Sequence, residues 1–130
     1  MIKINVKKQS NYPIDTPLLK KGLSRFLKEK GIISDTEVSV AIVGEKKMKN
    51  LAKTYLKENP PTVHNVLSFP YVESKDKFVF PPDEKIRLGE IVLCYPKLED
   101  EAKKEGKLID QKAGELVEHG ALHLLGIHHD

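Results

Sequence analysis

Apolar residues recur along this chain at two spacings. Some stretches alternate apolar with polar, and others repeat apolar residues every three or four positions. Residues Ile2 to Lys7 alternate, which predicts a half-buried strand. Asp15-Thr16-Pro17 predicts a helix start, with a capping side chain followed by a proline in the first turn. Leu19, Leu23, Phe26 and Leu27 carry the helical spacing onward, and Gly31 stops it. Val38, Val40 and Ile42 alternate with Ser39 and Ala41 as a second strand. Met48, Leu51, Ala52 and Tyr55 set a second helix that runs up to Asn59-Pro60-Pro61. "NVLSF", residues 65–69, is a short apolar strand closed by Pro70. Tyr71 to Lys85 is polar and proline-broken, and predicts a long loop or an irregular hairpin. "IRLGEIVLCY", residues 86–95, predicts a fourth strand in which Gly89 marks a bulge or a close approach. From Pro96 the chain is charged and helical. A short helix ends near Gly106, and a longer one runs from about Leu108 to Leu125.

Strands and helices are intermixed, but the crossovers are too irregular for a doubly wound sheet. The pattern predicts an α+β fold, a small mixed sheet of about four strands with helices packed on it. The chain has 130 residues and neither repeats nor low-complexity tracts, so residues 1–130 are expected to form a single domain. A composition of 39% hydrophobic and 32% charged residues is that of a folded domain, not a disordered one. The single cysteine, Cys94, cannot close an internal disulfide, which points to a reducing, cytoplasmic setting. The start, "MIKINVKKQS", has no apolar run of signal-peptide length, and no stretch is expected to span a membrane. A formal charge of +3 permits a nucleic-acid partner without demanding one.

Candidate chemistry gathers at the C-terminal end. Four of the five histidines, His119, His123, His128 and His129, fall within "EHGALHLLGIHHD", residues 118–130. On a helix at about 100° per residue, Ile109, Ala113, Leu116, Val117 and Leu124 form one apolar arc. His119 and His123 lie four apart, so they stack on one face at the edge of that arc. Two imidazoles at this spacing can grip one metal ion. Gly126 then supplies a helix stop, after which the chain can bring a third imidazole, from His128 or His129, to the same ion. Three neutral imidazoles leave a tetrahedral zinc one ligand short, and that position normally holds water, the mark of a catalytic site. Such an ion lowers the water's pKa and polarises a carbonyl or phosphoryl oxygen. The peptidase version of this helix carries a glutamate base right after its first histidine, where Gly120 stands here. A histidine pair at this spacing is more often a plain surface feature. The third imidazole behind a glycine stop is what favours the metal.

The same residues carry a resemblance. "HGALHLLGIHH", residues 119–129, resembles the signature H-G-x-L-H-L-x-G-Y-D-H of the YbeY endoribonuclease family of bacterial ribosomal RNA maturation factors. "NVLSFP" is similar to the family's D/N-V-L-S-F-P, and "LGEIVLC" to its L-G-D-I-x-I, in the same order along the chain. The resemblance implies an α+β domain with a zincin-like metal site in a cleft between the C-terminal helix and the sheet. It implies one zinc ion, or another divalent transition metal, held by His119, His123 and His129. It implies a metal-dependent endoribonuclease of single strands, acting in maturation of small-subunit ribosomal RNA and in ribosome quality control. Its partners would be ribosomal RNA and the small ribosomal subunit, with no membrane. Glu90 stands at the family's aspartate and is the candidate catalytic residue, to orient a water or act as general base. A solvated strand carboxylate is the other reading of it.

The chain departs from the family pattern where chemistry is at stake. His128 replaces the aspartate before the third histidine and offers a competing ligand. The family's L-N-x-x-Y-R places its asparagine at Ala52 and its arginine at Leu56. Lys53 and Lys57 flank Leu56, but a lysine is a point charge and does not replace a bidentate phosphate clamp. A second reading therefore makes the protein a non-catalytic ribosome-assembly factor with a structural metal. A third makes it a metallohydrolase of a non-RNA substrate. Glu115, one turn before His119, either orients that imidazole or is a plain surface residue. Ser68 and His64 share one short strand and make no convincing nucleophile pair, and Cys94 is expected to be buried. Lys46, Lys47, Lys49, Lys53 and Lys57 crowd the second helix, either as a solvated face or, beside a metal cleft, as a track for an RNA backbone.

Overall fold

The computed structural model describes residues 1–71 and 86–126. His128, His129 and the expected loop or hairpin after Tyr71 lie outside the described residues. Strands β1 (Ile2–Lys8) and β2 (Thr36–Val43) run parallel, joined by helix α1 (Thr16–Glu29). Strand β4 (Ile86–Cys94) pairs parallel with the other side of β2, and β3 (Val66–Pro70) pairs antiparallel with β4. The sheet order is β1-β2-β4-β3, so β3 is an edge strand. Helix α2 (Glu45–Tyr55) follows β2, and helices α3 (Tyr95–Glu105) and α4 (Ile109–Leu124) follow β4. A mixed four-stranded sheet with helices on it is the α+β arrangement that the spacing predicts.

Local chemistry sets the element ends. The Asp15 carboxylate accepts a hydrogen bond from the Leu18 N–H at 3.0 Å, and Pro17 sits in the first turn, where its missing donor costs nothing. Gly89 fulfils both expectations raised for it. The β2–β4 register shifts opposite Glu37 and Val38, and its φ of +140° is one that residues with side chains rarely adopt. A Cβ there would lie 2.2 Å from the Phe69 carbonyl oxygen.

The sheet is covered on both faces, and strand alternation decides which residue meets which cover. Val38, Val40, Ile42, Ile91 and Leu93 pack with Leu23 and Leu27 of α1 and with Ala113 and Val117 of α4. On the reverse face Val43, Leu67, Val92 and Cys94 pack with Met48 of α2. Leu27, Ile42 and Met48 are completely buried, and each such side chain contributes roughly 1.5–3 kcal/mol by leaving water. Among the described residues no helix is long and apolar enough to cross a membrane.

Charged side chains tie α3 to α4. Lys112 is only 9% exposed, and its Nζ lies 2.9 Å from Glu105 Oε2 and 3.8 Å from Glu101 Oε1. Lys107 joins Glu105 at 3.2 Å to Glu115 at 2.8 Å. Hydrogen bonds from Lys112, and then from Lys107, hold the Glu105 carboxyl below the ordinary glutamate range. A carboxyl pKa depressed in the folded state adds stability above its unfolded value, and that stability is lost as pH falls through the folded value. Glu105→Gln is therefore expected to lower Tm at neutral pH. The gap to the parent should close below roughly pH 4, as both forms become neutral. Thermal melts followed by circular dichroism at both pH values check this.

Candidate functional site

Helix α4 lies against the edge of the sheet because residue 120 has no side chain. Gly120 is buried, and a Cβ there would fall 2.8 Å from Ile91 Cγ2 and 3.0 Å from Ser68 Oγ. Ser68 Oγ donates a hydrogen bond to the Gly120 carbonyl at 3.0 Å, which fastens the helix to β3. Ser68 is thus a structural clasp, as its sequence context suggested. The position also explains the missing glutamate. Residue 120 faces the sheet, so a carboxylate there would be driven into Ile91 instead of the cleft.

His119 and His123, four residues apart, share one flank of this contact. Their Nε2 atoms are 3.2 Å apart and their rings meet edge to face at 4.7 Å. Both side chains are exposed, and with Asn65, Val66, Leu67 and Ser68 they line a cleft of about 280 Å³. Two nitrogens bound to one tetrahedral ion at about 2.0–2.1 Å each lie about 3.3 Å from one another, close to this spacing. The same spacing suits an N–H···N hydrogen bond, so the pair is at ease without an ion and arranged to accept one. Among the described residues no group of three or more His, Cys, Asp or Glu side chains could hold a metal. His129, implied as the third ligand, and its competitor His128 lie outside the described residues.

The structure separates other candidates from the pair. Glu90 lies opposite Phe69 and Ser39 in the strand register, one position from Ile91, and so points to the α2 face of the sheet. It borders a cavity with Leu51, Tyr55, Phe69 and Pro70, on the reverse side from the histidines. Glu90 does not reach the cleft as the expectation of a general base required. The spacing of "LGEIVLC" fixes that Glu90 alternates with Ile91, but only the pairing shows which of them faces α4. Helix α2, with its five lysines at or near it, packs on that reverse face too, and so does not flank the histidines. Leu56, at its end, is 45% exposed.

Glu115 Oε1 accepts from Lys107 Nζ at 2.8 Å, an ion pair that joins α4 to the turn before it. His64 Nε2 lies 2.7 Å from Glu58 Oε2, and the Glu58 carboxyl is held below its ordinary range, first by the Thr62 backbone N–H. That cluster braces the loop before β3. Cys94 is buried, and burial pushes its thiol pKa up, the reverse of an activated nucleophile. Sequence reasoning missed Asn65 and Lys112. Asn65 Nδ2 donates to Glu101 Oε1 at 2.9 Å while its residue lines the cleft. Nothing in a run of charged residues signals that one lysine of it is buried.

The family model described as Endoribonuclease YbeY matches residues 4–130. The chain belongs to the YbeY endoribonuclease family. A Dehalococcoides mccartyi protein named Endoribonuclease YbeY is 35% identical over 135 residues, which cover 98% of this chain and 77% of that one. A Stutzerimonas stutzeri protein of the same name is 39% identical over 95 residues, covering 73% of this chain and 55% of its own. The solution structure of TM1509 from Thermotoga maritima superposes with a TM-score of 0.59 at 28% identity, over 98% of this chain and 75% of that chain. Membership of the YbeY family supports an RNA-processing nuclease role.

Gly120→Ala tests the contact that positions the pair. A helical glycine replaced by alanine gains about 1 kcal/mol of propensity. Overpacking against a fully buried, χ1-stiff isoleucine costs about 1–3 kcal/mol. Ile91 is 0% exposed on a central strand and cannot yield, so the net change is expected to be destabilising by about 1 kcal/mol. Urea denaturation measures it.

Proposed function

We propose that this protein is a metal-dependent endoribonuclease that cuts single-stranded RNA, acting in the cytoplasm on small-subunit ribosomal RNA during its maturation. The observation that carries this reading is the His119–His123 pair. Its Nε2 atoms sit 3.2 Å apart beside β3 in a chain of the YbeY family. These two residues, with His129, would hold one zinc or similar divalent ion. Such an ion, when bound, polarises a phosphoryl oxygen and acidifies water.

The chain's own residues bind and orient the strand. At the two ends of β3 the Asn65 main-chain carbonyl accepts from Cys94 N–H at 3.0 Å, and Tyr71 N–H donates to the Leu88 carbonyl at 3.1 Å. The residues between alternate, so Val66 and Ser68 turn their backbone N–H groups away from β4, along the cleft. Backbone donors of this kind suit the oxygens of an extended sugar–phosphate chain. Ser68 Oγ is occupied by the Gly120 carbonyl and takes no part as a nucleophile.

One observation favours a second reading. An exposed leucine, Leu56, stands where the family pattern carries an arginine, as a non-catalytic assembly factor with a structural metal would tolerate.

A cleavage assay on a single-stranded ribosomal RNA fragment decides between them. The metal-loaded parent is expected to cut, and His123→Ala to lose about 100-fold or more while keeping its circular dichroism spectrum. A parent that holds metal and binds the small subunit but cuts nothing would establish the assembly-factor reading instead.

A further inference from the structure

The wall of the histidine cleft contains one side-chain amide, and its orientation is dictated from behind. Asn65 Nδ2 donates to Glu101 Oε1 at 2.9 Å. A carboxylate only accepts, so the amide must present nitrogen, not oxygen, to Glu101. Glu101 is in turn held in place by Lys112 at 3.8 Å. Lys112 cannot swing away, because it is 9% exposed and is gripped by both carboxylate oxygens of Glu105 at 3.1 and 2.9 Å. The side-chain oxygen Oδ1 is what remains of the amide, and it accepts no hydrogen bond from any described residue. Asn65 lines the cleft together with His119 and His123, and its tethered amide offers a neutral acceptor there.

An acceptor in that place selects among the parts of a nucleic acid. Phosphate oxygens accept and do not donate, so they gain nothing from it. The groups on a strand that donate are base N–H groups and the ribose 2′-hydroxyl. The donors beside it on the edge of β3, from Val66 and Ser68, belong to the backbone of the cleft and suit the sugar–phosphate chain. A side chain set beside that track meets the sugar before it meets a base, and the 2′-hydroxyl is the group that tells RNA from DNA.

We propose that Asn65 is the ribose-recognising residue of this cleft, its carbonyl accepting a hydrogen bond from a 2′-hydroxyl of the bound strand, with Glu101 and Lys112 as positioning residues behind it. The inference rests on the endoribonuclease reading and adds to it the residue that excludes DNA. Glu101 and Lys112 act only by fixing the amide, so they move the preference for ribose and not the chemistry itself.

The test is the ratio of affinities for RNA and DNA of one sequence, read by fluorescence anisotropy with a chelator present to stop cleavage. The parent is expected to bind a single-stranded RNA oligonucleotide about 5–10-fold more tightly than the DNA, the worth of one added hydrogen bond. A single 2′-deoxy substitution, moved along the RNA, should reproduce the loss at one position only. Asn65→Ala should bring the ratio close to unity while DNA affinity stays as it was. Asn65→Asp keeps an acceptor and should keep the preference, although its carboxylate beside Glu101 lowers Tm. Glu101→Gln frees the amide to turn over and should reduce the ratio part of the way. Retention of the full ratio by folded Asn65→Ala, in a parent that cuts RNA, overturns the assignment and leaves the nuclease reading standing. A parent that neither binds nor cuts single-stranded RNA overturns both.

Discussion

Where α4 meets the sheet, residue 120 has no room for a side chain, and the rest of the site follows from that contact. The backbone of the helix comes close enough to Ile91 and Ser68 that even a methyl group would have to displace a buried isoleucine. Ser68 fastens the same carbonyl from the other side. With the helix held at this distance and rotation, His119 must emerge on one flank of the contact. His123, one turn on, emerges on the same flank. Their convergence to 3.2 Å follows from the four-residue spacing on one helix, and the seating of α4 sets that the pair faces the cleft beside β3. The same seating removes the position of a peptidase glutamate from the cleft, which fits phosphodiester chemistry better than peptide hydrolysis.

The sheet then acts as a partition. On one side lie the histidines, Asn65 and the outward N–H groups of β3, braced by a buried lysine and its glutamates. On the other lie α2, its lysines, Leu56 and Glu90, around an apolar ledge made by Tyr55 and Phe69, whose rings meet edge to face at 5.3 Å. Burial of Lys112 would be costly for an unpaired cation. Glu105 and Glu101 compensate, so the polar support of the cleft is itself well satisfied. Among the described residues no buried side-chain nitrogen or oxygen lacks a hydrogen-bond partner.

Legibility of the sequence tracked the range of the interactions involved. Elements came through well because period two and period 3.6 are local properties, and Asp15 with Pro17 marked the start of α1 within a residue. The histidine pair was legible for the same reason, since four positions on a helix is a local distance. Gly89 could be flagged from its place inside a strand, although the Phe69 carbonyl that forbids a side chain there belongs to another strand. The face that Glu90 takes was not legible, because it depends on which strands β4 pairs with and which helix covers each side. Neither is written in seven residues. The face that carries the α2 lysines was hidden for the same reason. Lys112 and Asn65 were hidden because burial of a charge, and the direction of an amide, are decided wholly by partners distant in sequence, at Glu105 and Glu101.

In the proposed reading His119 and His123, turned to the cleft by the seating of α4, are two ligands of one ion, and metal content per chain tests this most directly. Protein purified without chelator and assayed by plasma mass spectrometry is expected to carry about one equivalent of zinc or a similar divalent metal. His119→Ala and His123→Ala, folded as judged by circular dichroism, should each carry almost none. Equal metal in the parent and both variants would contradict the account, because the ion would then be held somewhere the pair does not reach.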